Sequence, residues 1–332
     1  MTVTTITDAQ LAPKDYASDQ EVRWCPGCGD YAILKAVQKA CAEMELVRER
    51  TVFVSGIGCA ARFPYYMSTY GFHTVHGRAP AIATGIKLAN PELDVWVMTG
   101  DGDGLSIGGN HMLHVLRRNV GLKIILFNNE IYGLTKGQYS PTSRRGTRSP
   151  STPLGSVENP VSACAFALGA GARFVARSID TLQPHLIGVL KRAHAHAGAS
   201  FVEILQNCVV FNDAVFEHIT GKEVAADAQI MIEHGKPLVF GKNKEKGLRL
   251  KPGKLELEVA PAGPDTLLHD ETNRPLAQLL AALEPPFPTA MGVLYCNPTE
   301  SYEHEVYAQK GAAPGHGELD ALLNSERTWE VS

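Results

Sequence analysis

The sequence predicts an α/β fold: an open parallel sheet with helices on both faces. Three observations predict it. Short apolar segments alternate along the chain with helical ones, from "TVFVSGIGC" through "DVWVMTG" and "LKIILFNN" to "SFVEILQNC". Those segments are apolar at consecutive positions rather than at every second one, so both of their faces are covered. Each is followed by a loop of Gly, Asp, Asn or Cys, at the strand ends where open parallel sheets bind ligands.

Taken in order, residues 1–22 are an N-terminal arm without strong periodicity, and 23–210 form the main domain. Residues 30–44 read as a helix, with Ile33, Leu34, Val37 and Cys41 on one face. "TVFVSGIGC" is a buried strand that runs into a Gly loop at Gly56 and Gly58. "HGRAPAIATGIKLANP" is a loop followed by a helix of small residues, stopped at Asn90-Pro91. "DVWVMTG" is a strand, "GDGDGLSIGG" a loop, and "NHMLHVLRRN" a helix closed by Asn119 and Gly121. "LKIILFNN" is another strand, and "EIYGLTKGQYSPTS" a long loop. Residues 161–168 are a helix, "ARFVARS" a strand, 182–197 a helix, and "SFVEILQNC" a strand ending at Cys208. Beyond 211 the pattern changes to short strands joined by Lys/Gly turns. Residues 211–332 are therefore a C-terminal extension that packs on the main domain or on a partner chain.

Bulk properties exclude several classes. The chain has 332 residues, 44% hydrophobic and 20% charged, with net charge −4 and pI near 6.3. That balance gives no electrostatic case for binding nucleic acid or an anionic membrane. The start, "MTVTTITDAQLAPKD", lacks a basic segment followed by an apolar one, and no apolar run nears the ~20 residues of a membrane span. A cytoplasmic protein is expected.

The main chemistry lies in two loops. Gly100-Asp101-Gly102-Asp103-Gly104 follows one strand and Asn128-Asn129-Glu130 the next, and Asp101 and Asn129 are 28 residues apart, one βαβ crossover. Adjacent strand ends then offer a carboxylate and an amide oxygen to one point, a small hard-oxygen set suited to Mg²⁺ holding a diphosphate. This pairing resembles the thiamine-diphosphate motif. The resemblance implies Mg²⁺ bound by Asp101, Asn129 and the Ile131 carbonyl. A thiamine enzyme also needs a module for the aminopyrimidine, and no second α/β module is visible here, so that half is expected on another polypeptide.

Seven cysteines are present. Cys41, Cys164 and Cys296 sit in apolar contexts and read as small buried hydrophobes. Cys25 and Cys28 precede the first helix, Cys59 lies in a Gly loop and Cys208 ends a late strand. If the strands are parallel, these four converge at the edge that carries Asp101 and Asn129. The set fits Zn²⁺ or a [4Fe-4S] cluster, and Cys25-x-x-Cys28 alone also fits a redox dithiol. One close pair plus two singles leans towards the cluster. So does the neighbouring chemistry, because oxidising a decarboxylated 2-oxo acid needs an electron acceptor and zinc is not one.

"WCPGCGD", "GIGC", "HGRAPAIATGIKLANP", "GDGD" with "NNEIYGLTKGQYSPTS", and "QNC" together resemble, in order, the β subunit of the 2-oxoacid:ferredoxin oxidoreductases. The resemblance runs over about 20–215 and more weakly to about 300. It implies one [4Fe-4S] cluster on Cys25, Cys28, Cys59 and Cys208. It further implies thiamine-diphosphate contacts from Ile57, Gly58, Cys59, Ala60, His76, Gly102, Asp103, Gly133 and Leu134. Arg62 occupies a position that is often basic and would help neutralise phosphate. Leu134 and Lys136 match positions that face substrate, with Lys136 available to a substrate carboxylate. "VEILQNCVVFNDAVF" and the long extension look most like the 2-oxoglutarate branch, although pyruvate and branched-chain relatives share the core motifs. The implied partners are an α subunit bearing the aminopyrimidine module, ferredoxin, 2-oxoglutarate and coenzyme A, in an (αβ)2 heterotetramer. The competing readings are a non-catalytic zinc-binding scaffold and a non-oxidative thiamine decarboxylase.

Other histidines carry no functional expectation. His194 and His196 are two apart and do not share a helix face, so solvated surface is expected. His111 and His114 are expected to serve packing.

Overall fold

A computed structural model describes residues 11–310, 316–325 and 329. Residues 1–10 of the N-terminal arm lie outside the described residues. The rest of the arm folds back onto the body, where Tyr16 is fully buried and its hydroxyl donates to the Leu46 carbonyl at 2.6 Å.

The strands are β1 (Thr51–Ser55), β2 (Tyr70–His73), β3 (Asp94–Gly100), β4 (Leu122–Asn128), β5 (Phe174–Ile179), β6 (Ser200–Leu205), β7 (Gln229–Ile232), β8 (Val239–Phe240), β9 (Lys246–Leu250), β10 (Leu257–Pro261) and β11 (Thr289–Cys296). Eight of them form one sheet in the order β2-β1-β3-β4-β6-β5-β11-β7, and β10-β9-β8 form a small antiparallel sheet. β1 to β6 are mutually parallel, as expected. The far edge differs, because β11 runs antiparallel to β5, with β7 parallel to β11. Residues of the C-terminal extension thus complete the main sheet.

The covered faces explain the apolar runs. Along β4, Ile124 and Leu126 enter one core cluster while Ile125 and Phe127 enter the other; along β3, Val95 and Val97 oppose Trp96 and Met98. Helices α1 (Asp30–Glu43) and α6 (Gln183–Ala195) pack on the second face, and α2 (Ala79–Ala89), α4 (Gly109–Arg118) and α5 (Ala163–Gly169) on the first. The expected loop at "GDGDG" is instead one short helix, α3 (Asp101–Leu105), entered directly from β3.

His194 and His196 are not solvated. α6 ends at Ala195, so His196 leaves the helix with extended backbone (φ −72°, ψ 129°) and turns inward. It is buried against Phe174, while His194 stacks on Trp96 and pairs with Asp94 at 2.9 Å. His114 is half-buried, and its Nδ1 is buried without a partner. No helix among the described residues is long and apolar enough to cross a membrane.

Candidate cofactor and cysteine site

Four neighbouring strands, β1, β3, β4 and β6, end at the same edge of the sheet. Their loops carry Ile57 to Cys59, Asp101 to Asp103, Asn129 to Ile131, and Cys208. One cavity opens among them. It is lined by Ile57, Gly58, Cys59 and Ala60 from the first loop and by His76 from the loop before α2. Asp101, Gly102 and Asp103 line it from α3, and Asn129, Ile131, Gly133 and Leu134 from the loop after β4.

Asp101 is buried, and its Oδ2 accepts from Ser140 Oγ at 2.5 Å and Thr142 Oγ1 at 2.6 Å. Burial pushes its carboxyl up, and these hydroxyls oppose that shift. Thr142 Oγ1 also lies 2.9 Å from Asn128 Oδ1, and Asn128 Nδ2 donates to Glu203 Oε1 at 2.8 Å. Glu203 in turn holds the buried Arg177 guanidinium at 2.7 Å across the β5–β6 pair. The strand ends that bear Asp101 and Asn129 are thus locked to each other and to the next two strands.

Asp103 has a different place from Asp101. Its Oδ1 accepts from the Gly77 amide at 2.7 Å, the Ile57 amide at 3.2 Å and His76 Nδ1 at 2.7 Å, while Oδ2 accepts from Thr99 at 2.8 Å. It ties three loops of the cavity together. Gly102 is required by a close approach: a Cβ there would stand 2.2 Å from the Tyr132 ring, whose hydroxyl donates to the Gly102 carbonyl at 2.9 Å.

Lys136 and Arg62 do not line this cavity. Lys136 is exposed on a tight turn with φ +82°, and Arg62 donates through Nε to the Tyr66 hydroxyl at 3.0 Å.

The cysteine-bearing segments are stitched together by short bonds. Cys25 to Cys28 is a tight turn closed by Cys28 N–H to Cys25 C=O at 3.0 Å, with Gly27 at φ +82°. The Gly29 amide ties it to the Asn207 carbonyl beside Cys208, at 3.2 Å. Trp24 Nε1 ties it to the Cys59 carbonyl at 2.8 Å. A Cβ on Gly133 would lie 3.5 Å from Cys208 Sγ and 3.7 Å from Cys59 Sγ, so those two thiols face one another across a glycine. Burial, then the charge of Asp30, pushes the Cys28 thiol well up and the Cys59 thiol up to about 12; both also feel Cys208. Among the described residues, no three His, Cys, Asp or Glu side chains are close enough to hold a single metal ion. Cys41 and Cys164 are buried in the core, as expected, and Cys296 is half-buried.

Sequence reasoning missed Ser140, Thr142, Gln206 and Asp30. Asp30 is buried at the cavity, beside the Cys28 thiol, with no hydrogen-bond partner for either carboxylate oxygen, and burial pushes it up to about 7. The only signals were the hydroxyl run in "YSPTS" and the polar residues flanking the cysteines.

Residues 56–204 match the family model described as thiamine pyrophosphate enzyme, C-terminal TPP binding domain. The chain is 49% identical over 338 aligned residues to 2-oxoglutarate oxidoreductase subunit KorB of Mycobacterium tuberculosis, covering 98% of this chain and 90% of that protein. The chain belongs to the β subunits of the 2-oxoacid:ferredoxin oxidoreductases. A shorter β subunit from Aeropyrum pernix, of 2-oxoacid:ferredoxin oxidoreductase 1, is 49% identical over 190 residues, 57% of this chain and 60% of that protein. The same architecture occurs in a solved structure, 2-oxoglutarate:ferredoxin oxidoreductase from Magnetococcus marinus with 2-oxoglutarate, coenzyme A and succinyl-CoA bound. That likeness has TM-score 0.76 and 33% identity over 95% of this chain and 97% of that one. As a β subunit of this family, the chain is an oxidoreductase component that carries a thiamine-diphosphate-binding domain and works with an α subunit.

Proposed function

We propose that this chain is the β subunit of a 2-oxoglutarate:ferredoxin oxidoreductase. The complex converts 2-oxoglutarate and coenzyme A to succinyl-CoA and CO2, and two electrons leave one at a time for two oxidised ferredoxins. The observation that carries the reading is a diphosphate-type loop pair that lines one cavity at the sheet edge together with Cys59, whose thiol faces that of Cys208 across Gly133.

The residues fit the groups the reaction needs. Asp101, Asn129 and the Ile131 carbonyl would hold Mg²⁺, a small set of hard oxygens at one cavity wall. Gly102 lets the α3 backbone come close to the diphosphate, and His76 Nε2 is left facing the cavity because Nδ1 is bound to Asp103. Cys25, Cys28, Cys59 and Cys208 would hold the [4Fe-4S] cluster. A cluster rather than zinc suits the reaction, because zinc cannot accept the electrons released by the decarboxylated 2-oxo acid. When bound, thiamine diphosphate supplies the carbanion chemistry that releases CO2 and the cluster accepts single electrons.

Leu134, half-exposed at the cavity mouth, would shape the substrate's path, and Arg62 and Lys136 are cations for the substrate or the diphosphate once the α subunit closes the site. That assembly is an (αβ)2 heterotetramer in the cytoplasm, with the α subunit covering the aminopyrimidine. The test is viologen reduction by the anaerobically co-purified complex, with coenzyme A and either 2-oxoglutarate, pyruvate or a branched 2-oxo acid. A clear preference for 2-oxoglutarate is expected; equal rates with pyruvate would overturn the substrate assignment.

A further inference from the structure

One buried side chain touches both halves of the site. Gln206 is 1% exposed at the end of β6. Its Oε1 accepts from Asn129 Nδ2 at 2.8 Å, and its Nε2 donates to Cys28 Sγ at 3.4 Å and to the Asn207 carbonyl at 2.5 Å. The amide orientations follow from their partners. Asn129 Oδ1 accepts from the Ile131 amide at 3.2 Å, so Nδ2 must face Gln206. Gln206 must then present Oε1 to Asn129, and both of its N–H bonds point away, one of them at sulfur. The result is a head-to-tail chain: Ile131 N–H to Asn129, Asn129 N–H to Gln206, Gln206 N–H to Cys28.

We propose that Gln206 is a positioning residue that couples the diphosphate site to the cysteine-bound cluster. This rests on the reading above, in which Asn129 binds the cofactor's metal and Cys28 binds the cluster. An N–H directed at a cysteine sulfur stabilises the more negative, reduced state of an iron–sulfur centre and raises its potential. Hydrogen bonds in such a chain polarise one another. A cation on Asn129 Oδ1 draws electron density through the amide, makes Nδ2–H a stronger donor to Gln206, and so makes Gln206 Nε2–H a stronger donor to Cys28. Loading the cofactor therefore raises the cluster potential, poising it to accept an electron once substrate can react. By linkage, the oxidation state of the cluster changes the affinity for cofactor and metal in return.

The test is an EPR-monitored redox titration of the anaerobic complex, with and without thiamine diphosphate and Mg²⁺, in wild type, Q206E and Q206M. Wild type should show a more positive cluster potential when loaded. Q206E keeps an acceptor for Asn129 but replaces the sulfur donor with a carboxylate; its potential should fall while cofactor affinity, measured by calorimetry, stays near wild type. Q206M loses both contacts; its potential should fall, cofactor affinity should weaken, and the loaded and unloaded potentials should coincide. Wild-type potentials in both variants would overturn the proposal. So would loss of iron from both, since a tuning donor is not needed for ligation. A wild-type complex without iron would instead overturn the underlying cluster assignment.

Discussion

One oxygen of Asp103 lies 2.7 Å from Nδ1 of His76, and that same oxygen accepts from the Gly77 and Ile57 amides. A carboxylate only accepts, so the ring proton sits on Nδ1 and the imidazole is held with Nε2 free. Asp103→Ala would leave buried donors from three loops unpaired, a loss of about 2–4 kcal/mol in stability. Asp103→Asn can keep most of these bonds, with its NH2 turned to the Thr99 hydroxyl. Thermal unfolding should rank Ala well below Asn. Thiamine diphosphate retained through gel filtration should follow the same order.

Thr142 joins the Asp101 carboxylate to the Asn128–Glu203–Arg177 chain. Thr142→Val preserves shape and removes the hydroxyl. It should raise the Mg²⁺ concentration needed for thiamine-diphosphate binding by about tenfold or more, the usual cost of losing a partner that orients a metal ligand. Thr142→Ser should restore it. Calorimetric titration of Mg²⁺ at saturating cofactor decides the matter, and an unchanged requirement in the Val variant would remove Thr142 from the site.

The cysteines divide into two sets. Serine at Cys25, Cys28, Cys59 or Cys208 should each strip most iron from the anaerobically purified complex. Alanine at Cys41, Cys164 or Cys296 should leave iron intact. Cys164→Ala should cost about 1 kcal/mol in stability, because its thiol donates to Glu203 Oε2 at 3.1 Å. Iron analysis across the seven variants tests the division.

His196 should make the fold sensitive to acid. Burial, aided by the Lys123 charge, lowers its pKa from 6.5 to about 4. The unfolded chain then binds a proton more readily than the folded one between those values, so stability falls as pH drops from about 6.5 to about 4 and is unaffected by this group above that window. The loss is at most about 3 kcal/mol. His196→Gln should flatten the slope of unfolding free energy against pH in that range, measured by urea denaturation.

Most of the central sheet was legible because its strands are buried on both faces. Their apolar runs and the loops after them placed Asp101 and Asn129 at one edge, and the cysteines with them. The β11 strand was less legible: its pairing with β5 is a long-range contact that no local pattern in 289–296 announces. His196 differs from the sequence reading because that reading carries its helix two residues too far, to 197, whereas the chain turns inward after Ala195. Ser140 and Thr142 reach back about forty residues to Asp101, and Gln206 reaches across to Cys28. Such contacts depend on where a long loop returns, and hydroxyl and amide residues in loops carry no periodic signal.

The proposed function puts a thiamine-diphosphate site and an iron–sulfur cluster at one edge of the sheet. Its most direct test is EPR spectroscopy of the anaerobically co-purified αβ complex, frozen after mixing with 2-oxoglutarate and coenzyme A without ferredoxin, alongside iron, sulfide and thiamine analysis. One [4Fe-4S] equivalent and one thiamine diphosphate per β subunit are expected, with a reduced-cluster signal that appears only when 2-oxoglutarate is added. Stoichiometric zinc without iron, or a cluster that 2-oxoglutarate leaves oxidised, would contradict it.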